Sequence, residues 1–299
     1  MASMKRTIVH YGHLGPELGR LNRLLETFSA GQLQVEACVP KAPATEAEQI
    51  GMVRTGEIGF THFGSMFPAT WAPEYDGGGI PFVFPSIEAV EEYWASECGR
   101  RAMDLIRERG KTVILGMSRR SPRHLTAKVP VTDPEKLCGF RLRIPGIAAW
   151  DKVWSAAGAS CAMVPQHLVL DQLKSGQLDG QENSLKVIRD FRLYEAQRYI
   201  MLTQHIQGHL YWVMNEDLYH GLDAGERRAF KLALNVLTSE MNTSLEASTR
   251  ELEGELIGLG CELVRVDAAA FAAASRKGIE AVLSKMAPEV ADSICKYIG

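Results

Sequence analysis

The sequence predicts an α/β protein, built either as two lobes or as one large domain. Its 299 residues exceed the commonest size of a single hydrophobic core. Short β-rich stretches alternate with helical ones from the N-terminus, and this order is typical of a parallel sheet with helices on its faces. A composition of 46% hydrophobic and 23% charged residues is that of an ordinary folded chain.

The first half of the chain shows this alternation clearly. A strand in "RTIVHYG" precedes a helix through "LNRLLETFSA", and a second strand, "LQVEACVP", follows. In "TEAEQIGMVRTG" the spacing of Thr45 and Glu48 predicts a capping box at the start of a helix, which leads into the strand "EIGFTHFG". Ser86 behind Pro85 begins a helix predicted over residues 86–109, and "KTVILGM" is a predicted buried strand.

A second structural unit begins near residue 121. "HLTAKVPV" is a strand candidate, "GFRLRIPG" is a strand stopped by Pro145, and "AAWDKVWSAAG" is a helix. The two-residue period of a strand places Arg141 and Arg143 on one face of "GFRLRIPG" and its apolar residues on the other. The arginine face is either solvated, or it lies in a cleft where a guanidinium grips a carboxylate through two hydrogen bonds.

One predicted helix is unusually long. Over residues 224–259 apolar side chains recur mostly three, four or seven residues apart, at Phe230, Leu234, Leu237, Met241, Leu245, Leu252, Leu256 and Leu259. Asp223 with Glu226 fits a cap at its start, and Gly258 and Gly260 mark its end. A helix of this length is long enough to brace two lobes.

Several classes of function are disfavoured by the sequence. A net charge of −3 argues against nucleic acid as a partner, and no window approaches the roughly 18 apolar residues of a membrane span. No nucleotide loop, zinc-protease motif or nucleophile elbow is present. The six cysteines lack C-x-x-C spacing, and His10, His13 and His62 have no evident carboxylate partner. We therefore expect neither a metal site nor a cofactor.

The stretch "DGQENS" after a predicted helix raises a question. Asp179-Gly180 is turn chemistry, but the turn leaves Gln181, Glu182 and Asn183 unexplained. These side chains either cap the next helix or line a polar ligand site.

The chain from Arg123 to Asn215 resembles the solute-binding proteins of tripartite ATP-independent periplasmic (TRAP) transporters, of the dicarboxylate-binding type. The resemblance lies in "RHLTAKVPVTDPEKLCGFRLRIP", in "GASCAMVPQHLVLDQLKSGQLDGQENS" and in "LYEAQRYIMLTQH". Upstream, "VRTGEIGFTHFGSMF" and "IPFVFPS" are similar to further family segments, so that order and spacing hold over nearly the whole chain.

The resemblance implies a two-lobed periplasmic-binding-protein clamshell, with crossing strands and a long helix that braces both lobes. We expect lobe I to comprise residues 1–120 and 209–248, lobe II to comprise 121–208 and 249–299, and the ligand cleft to lie between them. By the resemblance Arg143 pairs with the solute carboxylate, Arg123 supports it and Asn183 reaches the ligand. From lobe I we expect contacts from residues near strand ends, where open α/β sheets bind ligands, namely Tyr11, His13, His62 and Phe63.

This chain departs from the family at one wall of the expected site. Leu168 and Leu170 replace a glutamate and a tyrosine, and Gln166 takes a position often held by a bulky pocket residue. Because an acidic group is lost and apolar groups are gained, with Trp212 and Tyr211 adding to them, we expect hydrophobic monocarboxylates or keto acids to bind better than sialic acid or zwitterions.

The expected function is therefore that of a binding protein that delivers an organic acid to membrane permease subunits, without catalysis. The N-terminus, "MASMKRTIVHYGHLGPELG", has no apolar segment of a secretory signal. The periplasm is the expected location if a leader has been removed, and the cytoplasm is the alternative. A cytoplasmic isomerase or hydrolase with His13 or His62 as acid–base, and a ligand-dependent sensor, are the competing hypotheses.

Overall fold

The computed structural model describes residues 5–11, 16–38, 44–65 and 67–298, and of Tyr11 only the backbone. The chain alternates strands and helices, as the sequence predicts. The strands are β1 Arg6–Tyr11, β2 Leu33–Cys38, β3 Phe60–Gly64, β4 Thr112–Arg119, β5 Arg123–Ala127, β6 Arg141–Ile144, β7 Ser160–Met163, β8 Gly180–Ser184, β9 Tyr199–Ile206, β10 His209–Asn215 and β11 Glu262–Val264.

The helices follow the same alternation, and short 3₁₀ turns, such as Gln166–Leu168, lie between some of them. The α-helices are α1 Pro16–Phe28, α2 Glu46–Thr55, α3 Pro68–Trp71, α4 Ile87–Ala95, α5 Glu97–Gly110, α6 Ala148–Ala156, α7 Val169–Lys174, α8 Leu185–Asp190, α9 Glu216–Gly221, α10 Ala224–Gly258, α11 Ala268–Leu283 and α12 Pro288–Cys295.

The long helix is confirmed as α10, which has 35 residues. Asp223 and Glu226 cap its start reciprocally, because each side chain accepts a hydrogen bond from the other's backbone N–H, at 2.8 and 2.9 Å. The helix predicted over 86–109 is instead two helices, α4 and α5. The break falls at Ser96, whose extended backbone ends α4 and whose Oγ accepts a hydrogen bond from Gly99 N near the start of α5.

The capping box of α2 forms as predicted. Thr45 Oγ1 accepts from Glu48 N at 3.3 Å, and Glu48 Oε2 accepts from Thr45 N at 2.7 Å. We expect Thr45→Ala to lower the free energy of unfolding by about 1 kcal/mol, because one helical N–H loses its partner. Urea unfolding measures the loss, and Thr45→Ser, which keeps the hydroxyl, is the control. Equal stability of both variants would contradict a role for the cap.

The chain forms two compact units. The first contains residues 5–72, 100–119 and 209–244, without the undescribed residues, and the second contains 73–99, 120–208 and 245–298. The predicted boundaries differ chiefly in residues 73–99, which group with the second unit, as do residue 120 and residues 245–248. Two contacts within that unit explain the difference: Trp150 Nε1 donates to Gly79 O at 2.7 Å, and Phe82 N donates to His205 O at 2.7 Å.

The first unit is a mixed sheet covered by helices. Its described strands run in the order β2-β1-β3-β10-β4, in which β1 is parallel to β2 and β3, whereas β10 is antiparallel to β3 and β4. The predicted buried strand "KTVILGM" is β4, which is an edge strand and only half-buried along most of its length. Leucines of α1 and α10 pack with Phe60 and Trp212 into its core.

The second unit holds another mixed sheet, with the described strands in the order β11-β9-β5-β8-β6-β7. Strand β8 is central: β6 pairs with it in parallel and β5 pairs with it antiparallel. All five β8 residues are buried, although four of them, Gln181 to Ser184, carry polar side chains. Most buried polar groups in proteins have hydrogen-bond partners, so the partners of the β8 side chains indicate the function of this sheet.

Within the described residues, no helix combines the length and apolar character that a membrane span needs.

Candidate functional site

Arg143 on β6 is the most unusual charged group of the second unit. It is 4% exposed, and its Nε donates to Val164 O at 2.8 Å. No carboxylate in the described part of the chain forms an ion pair with it. Burial lowers the pKa of Arg143 from 12.5 to about 10, against the attraction of Glu182, and Arg123 lowers it further. The side chain therefore stays cationic at neutral pH, and among the residues that the structure describes it has no ion-pair partner.

The second predicted arginine, Arg123 on β5, is already neutralised. It makes a two-pronged ion pair with Glu182, from Nε to Oε2 at 2.6 Å and from Nη2 to Oε1 at 2.8 Å. Its guanidinium lies 5.1 Å from the ring centre of Trp150, which adds a cation–π contact. The pair fixes Arg123 in one orientation.

Glu182 is completely buried, and it is charged because of its partners. Burial opposes ionisation, but the charge of Arg123 and the hydrogen bonds from His205 and Arg123 outweigh it, so the pKa of Glu182 is lowered. His205 Nε2 lies 3.0 Å from Glu182 Oε2, and its Nδ1 lies 2.8 Å from Thr203 Oγ1. Burial lowers the pKa of His205, so its neutral ring donates to Glu182. Arg143, Arg123 and Glu182 together therefore carry a net formal charge of one positive unit.

Amide side chains lie beside Arg143 on the same face of the sheet. In the parallel register of β6 and β8, Arg143 pairs with Gln181, and Asn183 follows two residues later on the same face. Asn183 is 3% exposed, and its Nδ2 donates to Gln166 Oε1 at 3.2 Å and to Gln181 Oε1 at 3.3 Å. Three of the predicted site residues, Arg143, Asn183 and Gln166, thus belong to one polar surface.

The sequence-predicted residues of the first unit have different environments. His62 on β3 is half-buried, 5.3 Å from the ring of Trp212 on β10. Phe63 is 3% exposed and stacks on Phe67 at 4.9 Å. Tyr11 ends β1, and its side chain lies outside the described residues, as does all of His13.

Of the four residues expected to add apolar surface to the site, three have buried or half-buried side chains. Trp212 is fully buried in the core of the first unit, where its Nε1 donates to Ser118 Oγ at 2.5 Å, and Tyr211 is also fully buried. Leu170 packs against the core under α7. Leu168, at 41%, is the most exposed of them. Tyr211 and Trp212 are neighbours on β10, so their side chains lie on opposite faces of the sheet, and both faces are buried there.

The predicted site did not name His205, and it named Glu182 only as one of three polar candidates after the Asp179-Gly180 turn. Both stood inside the quoted segments, in "DGQENS" and at the end of "LYEAQRYIMLTQH". The available signal was a lone acid in a polar strand together with a lone histidine. Their contact joins residues 23 positions apart, which spacing alone does not reveal.

His10 in the first unit predicts a loss of stability in mild acid. Burial lowers its pKa from 6.5 to about 4, against a hydrogen bond of Nδ1 to Phe60 O. Between pH 4 and pH 6.5 the unfolded chain binds more protons than the folded protein does. The stability that neutral His10 contributes is therefore complete above pH 6.5 and is lost as the pH falls through 4. We expect a loss of about 2 kcal/mol from this residue between pH 7 and pH 5.

Urea unfolding of the wild type and of His10→Asn at both pH values measures this contribution. Asparagine keeps a donor for Phe60 O but does not titrate, so the variant should lose less stability on acidification. His167→Asn, at an exposed histidine, is the control. The same loss of stability in wild type and His10→Asn would show that His10 is not responsible.

No cluster of potential metal ligands occurs among the described residues. Two α/β units, one of which carries a buried cation that has no ion-pair partner in the described part of the chain, are the features of a solute-binding protein for anions. A family model, "Bacterial extracellular solute-binding protein, family 7", matches residues 14–289. The chain belongs to this family, and it is a solute-binding protein of the TRAP type.

Individual relatives agree with this assignment. A solute-binding protein of Roseobacter denitrificans is 30% identical over 266 residues, which is 89% of this chain and 81% of the relative. The sialic acid-binding periplasmic protein SiaP of Vibrio cholerae is 22% identical over 231 residues, 76% of this chain and 71% of SiaP.

A solved TRAP periplasmic solute-binding protein from Roseobacter denitrificans, with bound L-galactonate, superposes with a TM-score of 0.87 at 27% identity, over 99% of this chain and 100% of that one. The TRAP protein of a Sulfitobacter species with bound β-D-galacturonate shares the fold, with a TM-score of 0.87 at 19% identity, over 98% and 99% of the two chains. The family and these relatives are solute-binding proteins, so the chain is not an enzyme, and the enzyme hypothesis has no support.

Proposed function

We propose that this chain binds a small organic acid whose carboxylate is held by Arg143, and delivers it in the bacterial periplasm to membrane permease subunits of a TRAP transporter. The observation that carries the proposal is the burial of the Arg143 guanidinium without an ion-pair partner among the described residues. Taking such a cation out of water is unfavourable unless an anion compensates it. The solute supplies that anion.

The charges of the second unit favour a solute with one carboxylate. Glu182 neutralises Arg123, so one positive charge remains, on Arg143. A second carboxylate would meet no free cation of this cluster. The relatives support an acidic solute, since solved TRAP proteins are bound to L-galactonate, β-D-galacturonate and D-glucuronate.

We assign the ligand-binding role to Arg143, Asn183 and Gln166, with Arg123 as the supporting arginine. In the first unit, His62 and Phe63 remain candidates, as do Tyr11 and His13. The complete burial of Trp212 supports a role in the core in its place. The two compact units are the proposed lobes, with residues 73–99 assigned to the second.

Calorimetry with matched solutes tests the proposal. Galactonate and galactitol differ only in the carboxylate, which is a hydroxymethyl group in galactitol. We expect galactonate or a related sugar acid from a panel with galacturonate and glucuronate to bind, and galactitol not to bind. Binding of galactitol as tightly as galactonate, or no binding of any acid, would overturn the proposal.

The location and the permease need a separate experiment in cells. The full-length gene product, expressed in a bacterium that encodes a TRAP permease beside it, should be released by osmotic shock with other periplasmic proteins. Deletion of the gene should abolish uptake of the radiolabelled acid. Retention in the cytoplasmic fraction would refute the proposed location.

A further inference from the structure

The amide groups beside Arg143 form a hydrogen-bonded chain with a fixed direction. It begins at Gln197, whose Nε2 donates to the backbone oxygens of Ala196 at 3.1 Å and Asp179 at 3.5 Å. Because backbone oxygens only accept, the NH2 group of Gln197 must point towards them, which leaves Gln197 Oε1 facing Thr126. Thr126 Oγ1 donates to this oxygen at 3.3 Å.

The direction continues through the buried strand β8. The Thr126 hydroxyl has one hydrogen, and it donates that hydrogen to Gln197 Oε1. Gln181 must therefore donate to the Thr126 hydroxyl oxygen, and its Nε2 does so at 2.9 Å. Gln181 Oε1 therefore accepts from Asn183 Nδ2, and Asn183 Nδ2 also donates to Gln166 Oε1. A reversed Asn183 amide would place its oxygen against two acceptor oxygens, so its orientation is fixed.

Two ends of this chain have no partner within the described residues. Gln166 Nε2 is buried and donates to none of them. Asn183 Oδ1 accepts no hydrogen bond from them, since both bonds of Asn183 use Nδ2. Segment 164–166 joins these ends to the arginine, because Val164 O accepts from Arg143 Nε. Neighbouring residues therefore present the Arg143 cation, the unused donor Gln166 Nε2 and the unused acceptor Asn183 Oδ1.

A carboxylate alone does not satisfy this set, because it only accepts hydrogen bonds and leaves Asn183 Oδ1 unpaired. A hydroxyl both accepts and donates, so it pairs with Gln166 Nε2 and Asn183 Oδ1 at once. We propose that Gln166 and Asn183 select acids with a hydroxyl on the carbon next to the carboxylate. The inference rests on the proposed function, because it takes Arg143 as the carboxylate ligand.

Related acids fit less well for definite reasons. A 2-keto acid accepts from Gln166 but cannot donate to Asn183, and a 2-deoxy acid does neither. A 2-ammonium group only donates, so it opposes the Gln166 N–H. The expected order of affinity is hydroxy acid, then keto acid, then deoxy acid. The expectation from the sequence ranked keto acids and apolar monocarboxylates above sialic acid and zwitterions, and it did not rank hydroxy acids.

Calorimetric titration with galactonate, 2-ketogalactonate and 2-deoxygalactonate tests the inference. Leaving the buried Gln166 donor and the Asn183 acceptor unpaired should weaken binding of the 2-deoxy acid about tenfold or more relative to galactonate. Equal affinity for galactonate and 2-deoxygalactonate overturns the inference and leaves the proposed function standing. Absence of binding by all three acids overturns both.

Gln166→Met provides the matched variant, since methionine has similar length and no amide. We expect it to bind galactonate about tenfold more weakly and the 2-deoxy acid unchanged, so that the preference between them disappears. Gln177→Met, at an exposed glutamine, should keep the wild-type preference. If Gln166→Met still preferred galactonate over the 2-deoxy acid as strongly as the wild type, Gln166 would not select the hydroxyl group. If the variant does not fold, the ratio of the two affinities in the wild type still decides the inference.

Discussion

Replacing Arg143 with methionine should abolish binding of the organic acid and, at the same time, stabilise the unliganded protein. Burial lowers the pKa of Arg143 to about 10, which corresponds to an unfavourable free energy of about 3 kcal/mol for the buried charge. Methionine fills part of the same space without a charge. The free energy of unfolding of the apoprotein should therefore rise by about 1–3 kcal/mol.

The loss of binding is the larger effect. Truncating one partner of a buried charge pair costs about 2–5 kcal/mol, which weakens affinity about 30-fold or more. Arg143→Lys keeps the charge but loses the planar fork that grips both carboxylate oxygens, so its affinity should still fall about tenfold or more. Calorimetry gives the affinities, and urea unfolding without solute gives the stability.

Arg141 provides the control on the same strand. Its guanidinium is about half exposed and bound to Asp179, so Arg141→Lys should change neither quantity appreciably. Wild-type affinity in Arg143→Lys would show that Arg143 does not hold the carboxylate. A less stable Arg143→Met apoprotein would show that the cation is compensated inside the protein.

Glu182→Gln should destabilise the second unit strongly. Glutamine keeps one acceptor oxygen for Arg123 and His205, but its NH2 group opposes an Arg123 N–H. It also leaves the Arg123 guanidinium, whose side chain is 17% exposed, without a counter-charge. Removing one partner of a buried ion pair costs about 3–5 kcal/mol. Thermal and urea unfolding of the unliganded protein measure the change.

Asp179→Asn is the matched control, because Arg141 and Asp179 form the same two-pronged pair at the surface of the same sheet. Their side chains are 48% and 35% exposed, against 17% and 0% for Arg123 and Glu182. The exposed pair should contribute less than about 1 kcal/mol. Equal losses in the two variants would show that burial does not set the importance of the Glu182 pair.

The pH dependence of the Glu182 contribution has a definite sign. Its folded pKa is lowered, so the contribution is complete above the unfolded value near 4.5 and is lost as the pH falls through the folded pKa. The difference in stability between wild type and Glu182→Gln should therefore shrink in acid below pH 4.5. A difference that grows there would contradict the lowered pKa.

Local structure was largely predictable from the sequence. The capping box at Thr45 and the 35-residue helix α10 formed as predicted, because their signals lie within one or two turns of chain or repeat with the helical period. The break at Ser96 was missed, because a serine that caps a second helix looks, in sequence, like an exposed residue of a continuous one.

The sequence by itself determined the α/β class and, through the segments around Arg143 and Asn183, the kind of protein and the cation expected to hold a carboxylate. Only the tertiary structure decided which arginine is free. Arg123 is neutralised by Glu182, which lies 59 residues away along the chain, whereas Arg143 has no such partner among the described residues. Spacing cannot reveal this, because it depends on the register of three neighbouring strands, β5, β8 and β6. The direction of the amide chain is also set by tertiary contacts, because the backbone oxygens of Ala196 and Asp179 orient the Gln197 amide and the later donors and acceptors follow from it.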